Sequence, residues 1–260
     1  MSMNAKRKFE INNETIKKYI ETFYKLYYLN NEKNTELYNF FDLSLKDCQN
    51  IINDFIKKYP KQKGKIYSDI IKQLMLLNNG ILPANMLRPL NIDSKYLTIL
   101  ERNNVIERIS RGIYILPDIF EDSYYTLGQK YKKVIFSHMN ALYFYGLTEE
   151  FPHDYTVTVP RGYHVAEINK KCNVFYVPND FYELGLIEAK TPSGNIVKAY
   201  DIERCICDII KDKGRMDLEQ VKKVIKKYLK MPNKNIAKLQ EYARKMNINN
   251  RVMKMVGYYE

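Results

Sequence analysis

The stretch that most constrains this chain runs from Lys65 to Pro117, where helical spacing, turn formers and β-branched runs follow one another with little slack. Ile66, Ile70, Leu74 and Leu77 repeat at helical spacing and stop at Asn78-Asn79-Gly80, where a left-handed residue can close a helix. Pro83 stands where a helix can start without losing a needed donor, so Ala84 to Leu90 reads as a short second helix with Pro89 near its end. After the turn Asn91-Ile92, Asp93 and Ser94 can each accept the free amides of a third helix, with Leu97 and Leu100 pointing inward and Asn104 at a left-handed exit. Two β-branched runs follow, Val105 to Ile109 and Ile113 to Leu116, joined by Ser110-Arg111-Gly112 as a hairpin. That order of elements is the order of a winged helix-turn-helix, which sets one helix in a major groove and a hairpin on the flanking backbone.

The third helix leaves Lys95, Thr98 and Arg102 on its outer face with Ser94 at its start, and the hairpin carries Arg108, Ser110 and Arg111. These seven are the expected DNA-binding residues. Four of the ten arginines (Arg88, Arg102, Arg108 and Arg111) fall in this stretch although lysine outnumbers arginine 32 to 10. The choice matters because the guanidinium fork can grip phosphate or guanine with two bonds. The same pattern also allows a winged helix used only to bind protein or to dimerise.

The 260 residues have room for two modest domains, and 45% apolar with 28% charged content is that of an ordinary globular protein. No apolar run is long enough for a membrane span and the basic N-terminus has no apolar segment behind it, so the expectation is a cytoplasmic protein. The four cysteines (Cys48, Cys172, Cys205, Cys207) are too scattered for a disulfide framework, and Cys205 and Cys207 point to different faces of a helical pattern. Free thiols are expected, with no metal and no cofactor. A net charge of +12 suits an anionic partner, but residues 1–120 and 121–260 each carry +6, so charge does not say which half meets it.

On either side of the central stretch the reading is α+β. A basic tail is followed by three helical pieces, from Asn13 with Ile16, Ile20, Phe23 and Tyr27, from Thr35 to Phe41, and from Ser44 with Leu45, Cys48, Ile52, Phe55 and Tyr59. This extension, residues 1–64, reads either as a dimerising or partner-contacting arm or as an extra helical layer on the winged helix, residues 65–117. Residues 118–131 read as a connector. Residues 132–260 read as a mixed α/β domain: a strand at Val134–Phe136, a helix Ser137–Tyr145 closed by Gly146, and strands at Tyr155–Val159, Asn173–Val177, Leu186–Thr191 and Asn195–Tyr200. Pro192-Ser193-Gly194 makes the last two a hairpin, and helices run from Asp201, Asp217, Asn233 and Asn249 onward.

Three strings in this order resemble the AbiEi family, the antitoxins and transcriptional regulators of type IV (abortive infection) toxin–antitoxin systems of bacteria. They are Leu97-x-x-Leu100 with Val105 to Tyr114, Asn140-Ala141-Leu142-Tyr143-Phe144-Tyr145-Gly146-Leu147, and Tyr200-Asp201-Ile202-Glu203-Arg204-Cys205-Ile206-Cys207-Asp208-Ile209-Ile210. The resemblance covers about residues 65 to 230 and leaves the first 60 aside. It implies a non-enzymatic protein that binds operator repeats in its own promoter, double-stranded DNA, through the winged helix. It further implies that the C-terminal domain neutralises a nucleotidyltransferase-like toxin encoded beside it. A stand-alone winged-helix regulator without a toxin is the alternative.

Other chemistry is visible and weaker. Asp180 with Glu188-Ala189-Lys190 has the acid and acid-x-lysine form of Mg²⁺-dependent nucleases, but Glu188 and Lys190 alternating with Ile187 and Ala189 is also a half-exposed strand. His138, His153 and His164 lack metal-ligand spacing. Tyr143, Phe144 and Tyr145, within a helix, read as core more readily than as a stacking platform. Lys222, Lys223, Lys226, Lys227 and Lys230 crowd one part of a helix, which is either a solvated face or a surface for an anion, operator phosphate or acidic toxin.

Overall fold

The computed structural model describes residues 45–148, 152, 154–164 and 166–259, so the expected helices at Asn13 and Thr35, the Ser44 cap and His153 lie outside the described residues. The chain is mixed α+β and divides into two compact units, residues 1–121 and 122–260.

Unit 1 begins with α1 (Leu45–Lys58), a 3-10 turn (Pro60–Gln62) and α2 (Lys63–Leu77). The lysine-rich residues Pro60 to Gly64 are therefore this turn plus the first residues of α2. Ile66, Ile70, Leu74 and Met75 of α2 are buried, and the helix closes at Asn78 with left-handed Asn79 (φ 52°) and Gly80 (φ 80°) after it. A strand that periodicity did not reveal, β1 (Ile81–Pro83), precedes a 3-10 helix (Ala84–Leu90). Pro83 thus ends a strand and flanks the helix. Then come α3 (Lys95–Arg102), β2 (Glu107–Ser110) and β3 (Ile113–Ile115), with Asn91 (φ 56°) and Asn104 (φ 55°) making the left-handed turns on both sides of α3. Strand order is β1-β3-β2, all antiparallel, with an irregularity between Arg108 and Ser110. One core joins Ile52 of α1 to Ile66, Ile70, Leu74, Leu87, Leu97, Leu100 and Ile106, so the C-terminal part of the extension packs as a layer on this unit.

Unit 2 opens inside the segment read as a connector, with α4 (Ser123–Lys130). Buried Asp122 makes this start possible: Oδ1 accepts from the Tyr125 amide at 3.1 Å, and Oδ2 accepts from Thr191 Oγ1 at 2.6 Å and Asn195 Nδ2 at 2.8 Å. One carboxylate caps the helix and pins a distant hairpin. Next come β4 (Ile135–Phe136), α5 (His138–Phe144), β5 (Tyr155–Pro160), α6 (Ala166–Lys171), β6 (Cys172–Val177), α7 (Asn179–Tyr182), β7 (Leu186–Lys190) and β8 (Ile196–Tyr200). The five strands run in the order β6-β5-β4-β8-β7; β5 pairs β6 and β4 pairs β8 in parallel, while the other two pairs are antiparallel. The chain ends in α8 (Ile202–Lys211), α9 (Leu218–Leu229), α10 (Ile236–Lys245) and α11 (Asn249–Tyr259), capped at Asp201, Asp217 and Asn235 by their own side chains.

Every residue of α8 from Glu203 to Ile210 is buried. Cys205 and Cys207 do point to different sides, toward the Tyr200 and Leu239 carbonyls, and both sides are interior. Burial pushes the Cys207 thiol up to about 12 and Cys205 well above the ordinary thiol range, so neither is a ready nucleophile.

Candidate nucleic-acid interface

The amphipathic sequence of α3 decides which side chains it shows. Tyr96, Leu97 and Leu100 are 8%, 0% and 3% exposed, whereas Lys95, Thr98, Ile99 and Arg102 are all exposed. The start of the helix is held by Asp93, whose Oδ1 accepts from the Lys95 amide at 2.9 Å. Ser94, read as a second cap, makes no side-chain capping bond, because its backbone is already in the right-handed helical region. Lys95 Nζ lies 3.6 Å from Asp93 Oδ2, a pair more than half exposed on both sides, which water screens to little net stabilisation. Nothing in that pair would stop Lys95 from exchanging its carboxylate for a phosphate.

The hairpin hangs from the same core. Pro83 and Ile113 are paired, the Ala84 amide donates to the Gly112 carbonyl at 2.8 Å, and Gly112 turns the chain with φ 74°. Arg108 and Arg111 are exposed, and Arg108 Nε donates to the Ser110 carbonyl at 3.3 Å, bracing the hairpin across its irregular step. Ser110 differs from the other six in its surroundings. Its hydroxyl is covered and has no hydrogen-bond partner, so of the seven residues it alone has its polar side-chain atom turned away from solvent.

In unit 2, Lys222, Lys223, Lys226, Lys227 and Lys230 are exposed along α9, opposite buried Val221, Val224, Ile225 and Tyr228. Lys222 Nζ is 2.6 Å from Glu219 Oε1. Asp180, Glu188 and Lys190 are also exposed, and among the described residues no group of three or more His, Cys, Asp or Glu is placed to hold a metal ion. His138, the first residue of α5, is 1% exposed with φ 52°, its ring between Ser137 Oγ (2.9 Å) and Asp212 Oδ2 (3.3 Å) and stacked on Phe175. Phe144 packs edge-on to Tyr124 and Phe136, and Tyr145 donates to the Tyr200 carbonyl at 2.7 Å, so both serve the interior.

The third string around Tyr200 to Ile210 turns out to be a buried polar network, which its spacing had not suggested. Arg204, 0% exposed, has Nε 3.1 Å from both Asp208 oxygens, gives Nη1 to the Phe181 and Leu184 carbonyls, and lies over the Tyr200 ring at 4.3 Å. Asp201 caps α8 through the Arg204 amide and accepts from Tyr242 at 3.0 Å, while Lys238 reaches Asp201 at 3.0 Å and Glu203 at 3.8 Å. Burial works against the Lys238 charge, but the bond to Asp201 and the charges of Asp201 and Glu203 raise its pKa overall. The cue available in the sequence was an arginine and three acids in eight apolar-rich residues, since charges on a helix that must be buried need partners inside the protein.

No protein-family model matches this sequence, and no curated protein matches it. Among the described residues no helix is long and apolar enough to cross a membrane.

Proposed function

We propose that this chain is a DNA-binding regulator whose first unit acts as a winged helix-turn-helix, and that it serves as the antitoxin of a type IV toxin–antitoxin pair. One observation carries the DNA-binding part: the exposed row Lys95, Thr98 and Arg102 on a helix whose opposite side is core, followed by a hairpin with exposed Arg108 in its first strand and exposed Arg111 at its turn. A major groove about 12 Å wide admits such a helix, and the hairpin arginines then meet backbone phosphate. The β1-β3-β2 sheet supports this reading, because it holds the hairpin and the start of the 3-10 helix on one framework.

The antitoxin part rests on the resemblance to the AbiEi family. In this reading the protein represses its own operon, acts in phage defence, is not an enzyme, and its second unit neutralises a nucleotidyltransferase-like toxin; the basic side of α9 is the surface in unit 2 suited to an acidic partner. Two experiments separate the parts. Gel shifts on the DNA upstream of its own coding sequence, against scrambled competitor, test DNA binding. Expression of the adjacent gene alone and together with this chain tests neutralisation: growth arrest relieved by co-expression supports the antitoxin, and absence of a toxic neighbour leaves a stand-alone regulator.

A further inference from the structure

We infer that Ile99 reads a thymine methyl group in the DNA. The inference rests on the DNA-binding reading above and adds a base preference to it. Ile99 is 44% exposed, whereas the apolar residues that anchor α3, namely Tyr96, Leu97 and Leu100, are all nearly covered. The buried core of the unit does not include it. A β-branched residue at an exposed site in an eight-residue helix also gives up helix propensity that alanine or a long polar residue would supply. Folding therefore does not explain the choice of isoleucine.

Its place on the helix does. At about 100° per residue, Arg102 lies roughly 20° to one side of Lys95 and Ile99 roughly 40° to the other, with Thr98 beyond Arg102. A helix that turns Lys95 and Arg102 toward DNA must turn Ile99 toward it as well. A buried branched alkyl group set among base edges needs an apolar partner, and the apolar feature of a major-groove edge is the C5 methyl of thymine. The other side chains on this face are polar or cationic, so Ile99 is the residue suited to that contact. Thr98 carries one methyl but also a hydroxyl that can accept or donate.

The experiment begins with selection from a random duplex library using the full chain, followed by replacing each thymine of an enriched duplex with deoxyuridine, which removes only the methyl. At one position uracil should weaken binding by about fourfold, the equivalent of one buried methyl group. Ile99→Ala should bind the thymine duplex more weakly by a similar or larger factor and be indifferent to uracil at that position, with unchanged thermal unfolding. Thr98→Ser should keep the uracil effect. If Ile99→Ala remains as sensitive to uracil as the wild type, or if Thr98→Ser abolishes the effect, the assignment is wrong while DNA binding stands. If no sequence is enriched and no duplex is bound, it is the DNA-binding reading that fails.

Discussion

Arg102 in unit 1 and Arg204 in unit 2 carry the same charge on helices of similar length, and they are put to opposite uses. Arg102 is exposed on the last turn of α3 beside Thr98 and Ile99, and no packing of the unit depends on its guanidinium. Arg204 is fully covered on the first turn of α8, and its Nε and Nη1 are spent on Asp208 and the carbonyls of Phe181 and Leu184, while its buried Nη2 has no hydrogen-bond partner. An exposed charge costs little to fold and keeps its bonds for a partner. A buried one must be matched inside, and removing its partner leaves an unpaired charge in a poor solvent. The comparison suggests where to look for function in a basic protein: among charges the fold does not use.

The largest effect that tests this contrast comes from Arg204→Ala. It strands Asp208 and two carbonyls, and should cost about 3 to 5 kcal/mol in urea unfolding. Arg102→Ala should stay within about 0.5 kcal/mol of wild type. The double change Arg204→Met with Asp208→Leu removes both charges together and should recover much of the loss, as a coupling energy in a double-mutant cycle. If the double variant is as unstable as the sum of the single ones, the pair is not what holds α8.

Gly185→Ala should come next, at about 1 to 3 kcal/mol. Gly185 has φ 78°, and a Cβ there would lie 2.6 Å from Arg204 Cβ, so the substitution meets backbone strain and a collision with the same arginine. Gly146, with φ 70° and nothing within 4 Å of an added Cβ, isolates the strain from the collision. A Gly185→Ala penalty no larger than that of Gly146→Ala would mean that Arg204 yields easily.

How far the sequence discloses this contrast differs between the units. In unit 1 the signals are local: the helical spacing of α2 and α3, the asparagines that turn left-handed, and Gly112 in the hairpin all act within a few residues, and these elements were legible. β1 was not, because three residues with proline at the end form a strand only through pairing with β3. In unit 2 the strands were readable one by one, but not their order. Phe136 pairs with Ala199 across 63 positions of sequence, and periodicity carries no such information. The helix α4 hid in a tyrosine-rich run whose cap, Asp122, acquires its other partners at Thr191 and Asn195. The proposed DNA contacts follow from helical spacing on α3 and from the turn pattern of the hairpin. Exposure, which spacing approximates only for whole faces, brings in Ile99 and turns Ser110 away.

Between the two groups of arginines in unit 1 the predicted difference is one of kind. If unit 1 meets DNA as proposed, Arg102→Ala should relax discrimination between operator and scrambled duplex by about 1 to 3 kcal/mol, because a base contact carries sequence information. Arg111→Ala should weaken binding to both alike and lower the slope of log K against log salt by roughly one unit. Gel shifts at several salt concentrations measure both. Wild-type behaviour of both variants on both duplexes would move the functional surface away from α3 and make unit 1 a protein-binding module.

The smallest expected effect concerns Ser110, the one member of the seven whose side chain turns inward. Its hydroxyl is covered without a hydrogen-bond partner, and a buried hydroxyl that forms no bond costs on the order of 1 to 3 kcal/mol relative to one in water. Ser110→Ala removes that cost together with a little packing, so the variant should be as stable as wild type or more stable by about 1 kcal/mol. Its DNA affinity should be unchanged at every salt concentration, because the backbone carbonyl that braces Arg108 remains in place. Arg108→Ala removes the brace and a cation together and should lower affinity without altering sequence preference. A Ser110→Ala protein that loses affinity while Arg108→Ala does not would mean that the hydroxyl faces the DNA, and that the irregular step between Arg108 and Ser110 serves to present it rather than to support the arginine.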